Sequence, residues 1–155
     1  MPHSEAGGCG WRYDTGLLIL RLGIGISMML HGWPKLTGGA ELWGHLGQAM
    51  GNLGITFLPV YWGFAAACAE FFGGLLLALG LMFRIASAVL VFQMIVASTF
   101  HLAGGDGFQV ASHALELLVV FFSLIFIGPG RCSLDGVFCR RRHSGSSAGD
   151  IPAAQ

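Results

Sequence analysis

With 155 residues, 54% of them hydrophobic, only 10% charged and a mean hydropathy of +0.70, the chain has too little charge to cover a water-soluble domain, for which about 25% is usual. Lipid is therefore the solvent that the composition implies. The formal net charge of zero gives no sign of a nucleic-acid partner, and none is expected.

Taken in order, residues 1–13 read as an N-terminal tail and 14–33 as a first apolar span. Arg21 interrupts that span and no small-x-small site precedes a mature domain, so it reads as a retained helix rather than a cleaved signal. A long connection follows, from Pro34 to Leu58. Within it, Leu42, Trp43, Leu46, Met50 and Leu53 suit a short interfacial helix over 41–53, punctuated by Gly38, Gly39, Gly51 and Gly54. This segment is expected to be a lid or re-entrant piece over one end of the bundle. Further spans are predicted at 59–81, 84–103 and 112–128, each near the roughly 20 residues that cross a bilayer. Residues 137–155 form a basic, Ser/Gly-rich tail, expected to be disordered from Ser144 onward. The fold class predicted is all-α: a four-transmembrane-helix bundle over 14–136 with a short interfacial helix or lid in the 1–2 loop. No internal repeat and no soluble domain is visible.

Orientation follows from the basic residues. Four spans put both termini and the short 2–3 turn on one side, with Arg12, Arg84, Arg131, Arg140, Arg141 and Arg142, while the other side holds only Lys35. The positive-inside rule then places both termini in the cytoplasm, with the 1–2 loop and the GGDGFQ loop outside. Of the four cysteines, Cys68 lies in an apolar run and Cys9, Cys132 and Cys139 in the tails, where cytoplasmic thiols stay reduced. Their spacing matches no zinc motif, and no metal ligand set is assigned.

Ionisable residues within membrane helices cost about 2.5–3.5 kcal/mol each on insertion scales, so each is a functional candidate. Counting from the expected span edges puts Arg21 about 10 Å in from one side and Glu70 about 16 Å in from the other. A neutralising Arg21–Glu70 pair is the economical arrangement, either fixing helix packing or holding a polar head group. Glu70 shares a row with Ala66, Gly74 and Ala78, and Gly25 follows Arg21 by four, so small residues invite close approach there. A second group gathers at the opposite ends of the spans: His31 and Lys35 on the first, His101 on the third, His113 and Glu116 on the fourth. Gln93, Ala97 and His101 form one row, and Ser123 falls on the stripe of Glu116. Imidazole and carboxylate suit a transition metal as well as a quinone, and a histidine can exchange a proton near neutrality. His3, His45 and His143 lie in tails or loops and receive no role.

The stretch RLGIGISMMLHGWPKL (Arg21 to Leu36) resembles the start of the DoxX family. EFFGGLLLALGLMFRIAS (Glu70 to Ser87), His101, and the close IGPGRCSLDG (Ile127 to Gly136) are similar to that family too, so that the resemblance runs from about Leu17 to Gly136. The departure is Phe83, where the family often has Thr before the arginine; that position reads as a turn. The resemblance implies a four-helix membrane protein of the bacterial inner membrane, with Arg21, His31, Lys35, Glu70, Arg84, His101 and Arg131 as its polar positions. Some relatives are subunits of a thiosulfate:quinone oxidoreductase.

The function expected first is a quinone-linked redox subunit working with a protein partner, with sulfur-compound oxidation as one setting. His31, His101 and Glu116 would exchange protons, while Arg21, Lys35, Glu70 and His113 would hold the quinone. The electrons would come from a small sulfur compound or a partner; no flavin, haem or iron–sulfur motif is present, and a lone quinone site cannot by itself take electrons from a poor donor. The alternatives are a non-enzymatic anchor or assembly factor for a redox or stress-response complex, and metal handling through His31, His101, His113 and Glu116. Beyond membrane lipid, a protein partner or a homo-oligomer is expected.

Overall fold

The computed structural model describes residues 6–137, with side chains from Gly10 onward. His3, Cys139, Arg140 to Arg142, His143 and the tail from Ser144 lie outside the described residues, as does the side chain of Cys9. Five α-helices are present among them: α1 (Ala6–Thr37), α2 (Gly39–Gly47), α3 (Pro59–Leu79), α4 (Phe83–Gly104) and α5 (Phe108–Ile127), with a 3-10 helix at Gln48–Leu53 after α2. α1, α3, α4 and α5 are long and apolar enough to cross a membrane. The protein is a four-span, multi-pass membrane protein with a short helix between its first two spans.

The local sequence explains the boundaries. Pro59 opens α3 at a position where its missing N–H costs nothing. Gly80, at φ +65°, ends α3 in the left-handed conformation, which only glycine enters without steric cost. The first helix outruns its expected limits at both ends. It starts at Ala6 and carries Pro34 inside it, ending at Thr37. Proline is tolerated within membrane helices because neighbouring groups satisfy the freed backbone.

α1 packs along α3, α3 along α4, and α4 along α5, whereas the α1 and α5 backbones stay further apart. Side chains bridge that wider gap: Leu17 and Met28 of α1 share a buried cluster with Phe121 and Leu124 of α5, and His31 faces His113. The α1–α3 contact is made by the small residues that the sequence pointed to. A Cβ at Gly25 would lie 2.6 Å from the Gly74 carbonyl oxygen and 2.8 Å from Ala78 Cβ, and one at Gly32 would lie 2.6 Å from the Phe71 nitrogen. Leu17, Met28, Leu77, Leu90, Phe121 and Leu124 form the core between the helices. The outer faces are as apolar as the core: Leu30, Val119 and Phe126 are 69%, 65% and 71% exposed, as lipid-facing side chains are. Phe83 is no mere turn residue. It is the first residue of α4, is fully buried and belongs to this core.

At the end that carries both termini, the segment after α5 is stitched back onto the bundle. Arg21 is buried and donates from Nη1 to the Pro129 carbonyl and from Nη2 to the Cys132 carbonyl, each at 2.7 Å. The Arg131 backbone N–H donates to Asp14 Oδ1 at 2.9 Å. The Asp135 carboxylate accepts from the backbone N–H groups of Met82 (3.1 Å) and Phe83 (3.0 Å). α4 has no side-chain cap of its own, so Asp135 caps it from fifty residues away. Ser133 closes the turn, donating to the Gly130 carbonyl and accepting from the Gly136 N–H.

This latch corrects the expected Arg21–Glu70 pair. Gly32, not Arg21, lies opposite Glu70, and the eleven residues between Arg21 and Gly32 span about 16 Å of helix. Counting depth from assumed span edges misjudged the register, because α1 runs well beyond the apolar segment at both ends.

Candidate functional site

The other end of the bundle is covered by the lid. α2 and the 3-10 helix pack on α3, and the 3-10 helix reaches α4. Gly63 of α3 lies against the Trp43 carbonyl and Gly47 against the Pro59 carbonyl, contacts that leave no room for a Cβ. Trp43 fixes the lid twice. Its ring centroid is 4.8 Å from that of Phe64, and its indole N–H donates to the Lys35 carbonyl at 2.8 Å.

Beneath this lid Lys35 Nζ donates to Glu70 Oε1 at 2.6 Å. The Glu70 side chain is 5% exposed and that of Lys35 34%. The ammonium thus supplies the charge partner that Arg21 was expected to be. The second oxygen, Glu70 Oε2, is buried and accepts no hydrogen bond from any described residue. An unmet carboxylate oxygen in a membrane interior is costly unless a ligand or water donates to it.

Two cavities meet at this pair. The larger, about 480 Å³, lies between α3, α4 and the lid. Its walls are mainly apolar, with Trp62, Phe92, Phe100 and Met50 among them, while Gln93, His101 and His45 add polar groups. The expected row Gln93, Ala97, His101 lines it. The smaller cavity, about 130 Å³, fills the gap between α1 and α5. His31, His113, Met28 and Met94 line it, and the two histidine rings are 6.0 Å apart. Lys35, Glu70, Ala97 and His101 belong to both.

The structure therefore brings Lys35, Glu70 and His101 together, with His31 and His113 next to them. It does not bring in Arg21, which is spent on the latch, or Glu116, which is exposed on α5 and lines neither cavity. Among the described residues, no three His, Cys, Asp or Glu side chains converge as a metal-ion site would require. Two participants were missed in the sequence. Asp106 Oδ2 accepts from His101 Nδ1 at 2.8 Å, orienting that ring from the α4–α5 loop. A carboxylate five residues after a helix-end histidine is a legible signal for such a partner. His45 lines the larger cavity, and nothing in its sequence neighbourhood says which face of the lid it occupies.

A family model, DoxX, matches residues 16–102, a stretch that contains Arg21, His31, Lys35, Glu70 and His101. No curated protein sequence matches the chain, and no solved structure does. The matched stretch is more than half of the chain and carries three of its four spans and the whole Lys35–Glu70–His101 constellation, so the chain belongs to the DoxX family.

Proposed function

We propose that this protein binds a quinone in the larger cavity and serves as the quinone-linked subunit of a redox complex, its electrons delivered by a protein partner. The observation that carries the reading is Glu70 Oε2, a buried acceptor without a donor, set beside the Lys35 ammonium on the wall of a largely apolar cavity. A quinone has carbonyl acceptors, a quinol has hydroxyl donors, and both carry an apolar body. Lys35 Nζ can donate to a carbonyl and Glu70 Oε2 can accept from a hydroxyl, so one pair serves both redox states. A volume of about 480 Å³ is within the usual range of small-molecule pockets, about 300–1,000 Å³. His101, held by Asp106, is the group best placed to pass a proton between the cavity and the lid surface. The excess of arginine at the end bearing the termini supports a bacterial inner-membrane orientation with both termini in the cytoplasm and the lid outside.

A second reading, a non-enzymatic anchor or assembly factor, is supported by Arg21, whose buried guanidinium is held by the Pro129 and Cys132 carbonyls of the segment after α5. The experiment that separates the two is quinone content. The protein is extracted in native lipid discs, and bound quinone is quantified by mass spectrometry against an unrelated four-helix protein. Enrichment is expected in the wild type and a loss of it in Glu70→Gln and His101→Ala. Quinone at the control level in wild type and variants alike overturns the redox reading in favour of the anchor.

A further inference from the structure

The larger cavity reaches the protein surface in two places. Residues that line it and are also exposed mark its rim. On the lid side that residue is His45; along the seam between α3 and α4 they are Ala65, Val89 and Phe92. Val89 is 41% and Phe92 49% exposed. By rise per residue, Ala65 lies about 9 Å from the lid end of α3 at Pro59. Val89 and Phe92 lie about 9 Å and 14 Å from the opposite end, where α4 starts at Phe83. The seam therefore opens at hydrocarbon depth. The sequence explains why it opens there. α3 and α4 press together at Gly73, where an added Cβ would lie 3.2 Å from Leu90. Nearer the lid, the same face of α3 carries Ala65, Ala66 and Ala69, whose single methyl groups leave the space between the helices unfilled. The cavity is thus polar at one end and apolar at the other. Lys35, Glu70 and His101, which it shares with the smaller cavity, form its inner end toward α1 and α5, and the seam forms its outer one.

We propose that the α3–α4 seam is an entrance from the bilayer, and that the ligand is an amphiphile with one long apolar tail, bound head inward with its tail leaving between Ala65 and Val89. The inference rests on the quinone reading above and narrows it to lipid-borne, long-tailed quinones. The occupant follows from what surrounds each opening. A molecule dissolved among acyl chains meets the seam directly, whereas one entering past His45 would leave its tail in water, where apolar surface is unfavourable. At the inner end, Lys35 Nζ donates and Glu70 Oε2 is free to accept, so a small hydrogen-bonding head is what that end can hold. A cavity of about 480 Å³ is the size of a drug-like molecule rather than of a long chain, so most of the tail must lie outside it. At the seam that tail runs on into lipid and stays in apolar surroundings throughout. Its contribution is to confine the ligand to the bilayer at the level of the opening. Ala65, Ala66 and Ala69 are then specificity-determining residues, because their size sets the width through which the tail passes.

The test uses the full chain in lipid nanodiscs and two probes, a dimethoxy-methyl-benzoquinone without a tail and the same ring with a decyl tail. Probe bound per protein, above that of discs holding an unrelated four-helix protein, is titrated by mass spectrometry. Each variant is compared with the wild type probe by probe, so that partition of the tail into lipid cancels. Ala65→Phe and Val89→Trp fill the seam from its two sides; both positions are exposed, so the core is left intact. Ala88→Phe adds similar bulk at an exposed position of α4 that does not line the cavity. Each seam variant should weaken the tailed probe about tenfold or more, the scale of overpacking a fitted space, and leave the tail-less probe within about twofold. Ala88→Phe should bind both like the wild type. Seam variants that bind the tailed probe like the wild type, or that lose both probes alike, overturn the entrance and leave the quinone reading standing. A wild type that binds neither probe overturns the quinone reading and this inference with it.

Discussion

Replacing Lys35 by methionine tests whether the Lys35–Glu70 pair is one energetic unit. Methionine keeps the length and apolar stem of the lysine while removing the charge. Glu70 is then left 5% exposed, with Oε1 as well as Oε2 lacking a donor. Breaking a buried pair by removing one partner costs about 3–5 kcal/mol. Lys35 is one-third exposed, so water already screens part of the attraction, and the lower figure, about 3 kcal/mol, is expected. Replacing both residues, Lys35→Met with Glu70→Leu, removes the stranded charge as well and should cost about 1 kcal/mol or less, since apolar substitutes for a buried pair are often neutral. Glu70→Leu alone leaves an ammonium that is one-third exposed and solvated, at about 0–1 kcal/mol, so the coupling between the two sites is about 2–3 kcal/mol, within the range for contacting residues. Reversible unfolding in mixed micelles of the wild type, both single variants and the double variant supplies the full cycle. A double variant that loses as much as the sum of the two single ones would show no coupling and refute the reasoning. In that case the 2.6 Å contact holds nothing together.

Two further predictions concern packing and capping. Gly25→Ala should destabilise the fold by about 1–3 kcal/mol, because its Cβ meets α3 backbone and Ala78 at under 3 Å, whereas Gly23→Ala, with nothing within 4 Å, should stay within about 0.5 kcal/mol of wild type; the same unfolding assay reads both. Asp135→Ala removes the acceptor of the Met82 and Phe83 N–H groups and should cost about 0.5–2 kcal/mol, with faster amide hydrogen exchange confined to the α3–α4 turn and the segment after Gly128. Exchange unchanged at Phe83 would mean that the cap does not persist in solution.

Much of this molecule was legible in one dimension. Four runs of apolar residues fixed the number of spans, because a membrane accepts only segments whose backbone bonds are met internally and whose length matches its core. Gly25, Gly74 and Ala78 announced a close α1–α3 contact, since their spacing puts small residues on one helix face. The apolar pattern over 41–53 announced the lid. The identities of Lys35, Glu70 and His101 as polar residues out of place were equally plain, because water-loving groups in an apolar run stand out without any structure.

Which of them meet was decided only by the tertiary fold. Arg21 and Lys35 are fourteen residues apart on one helix and carry the same charge, and the depth count from the sequence chose Arg21 as the partner of Glu70. The register of α1 on α3 chose Lys35, and that register depends on where two glycines let backbones touch and on how far α1 continues past Pro34. Arg21 found its partners, the Pro129 and Cys132 carbonyls, more than a hundred positions away, and Asp135 found α4 in the same manner. A charge in a membrane must be met by something, and the sequence states that obligation for each residue. It does not state the partner, because hydrogen-bond geometry is settled by helix register and by loop return, neither of which has a local signature.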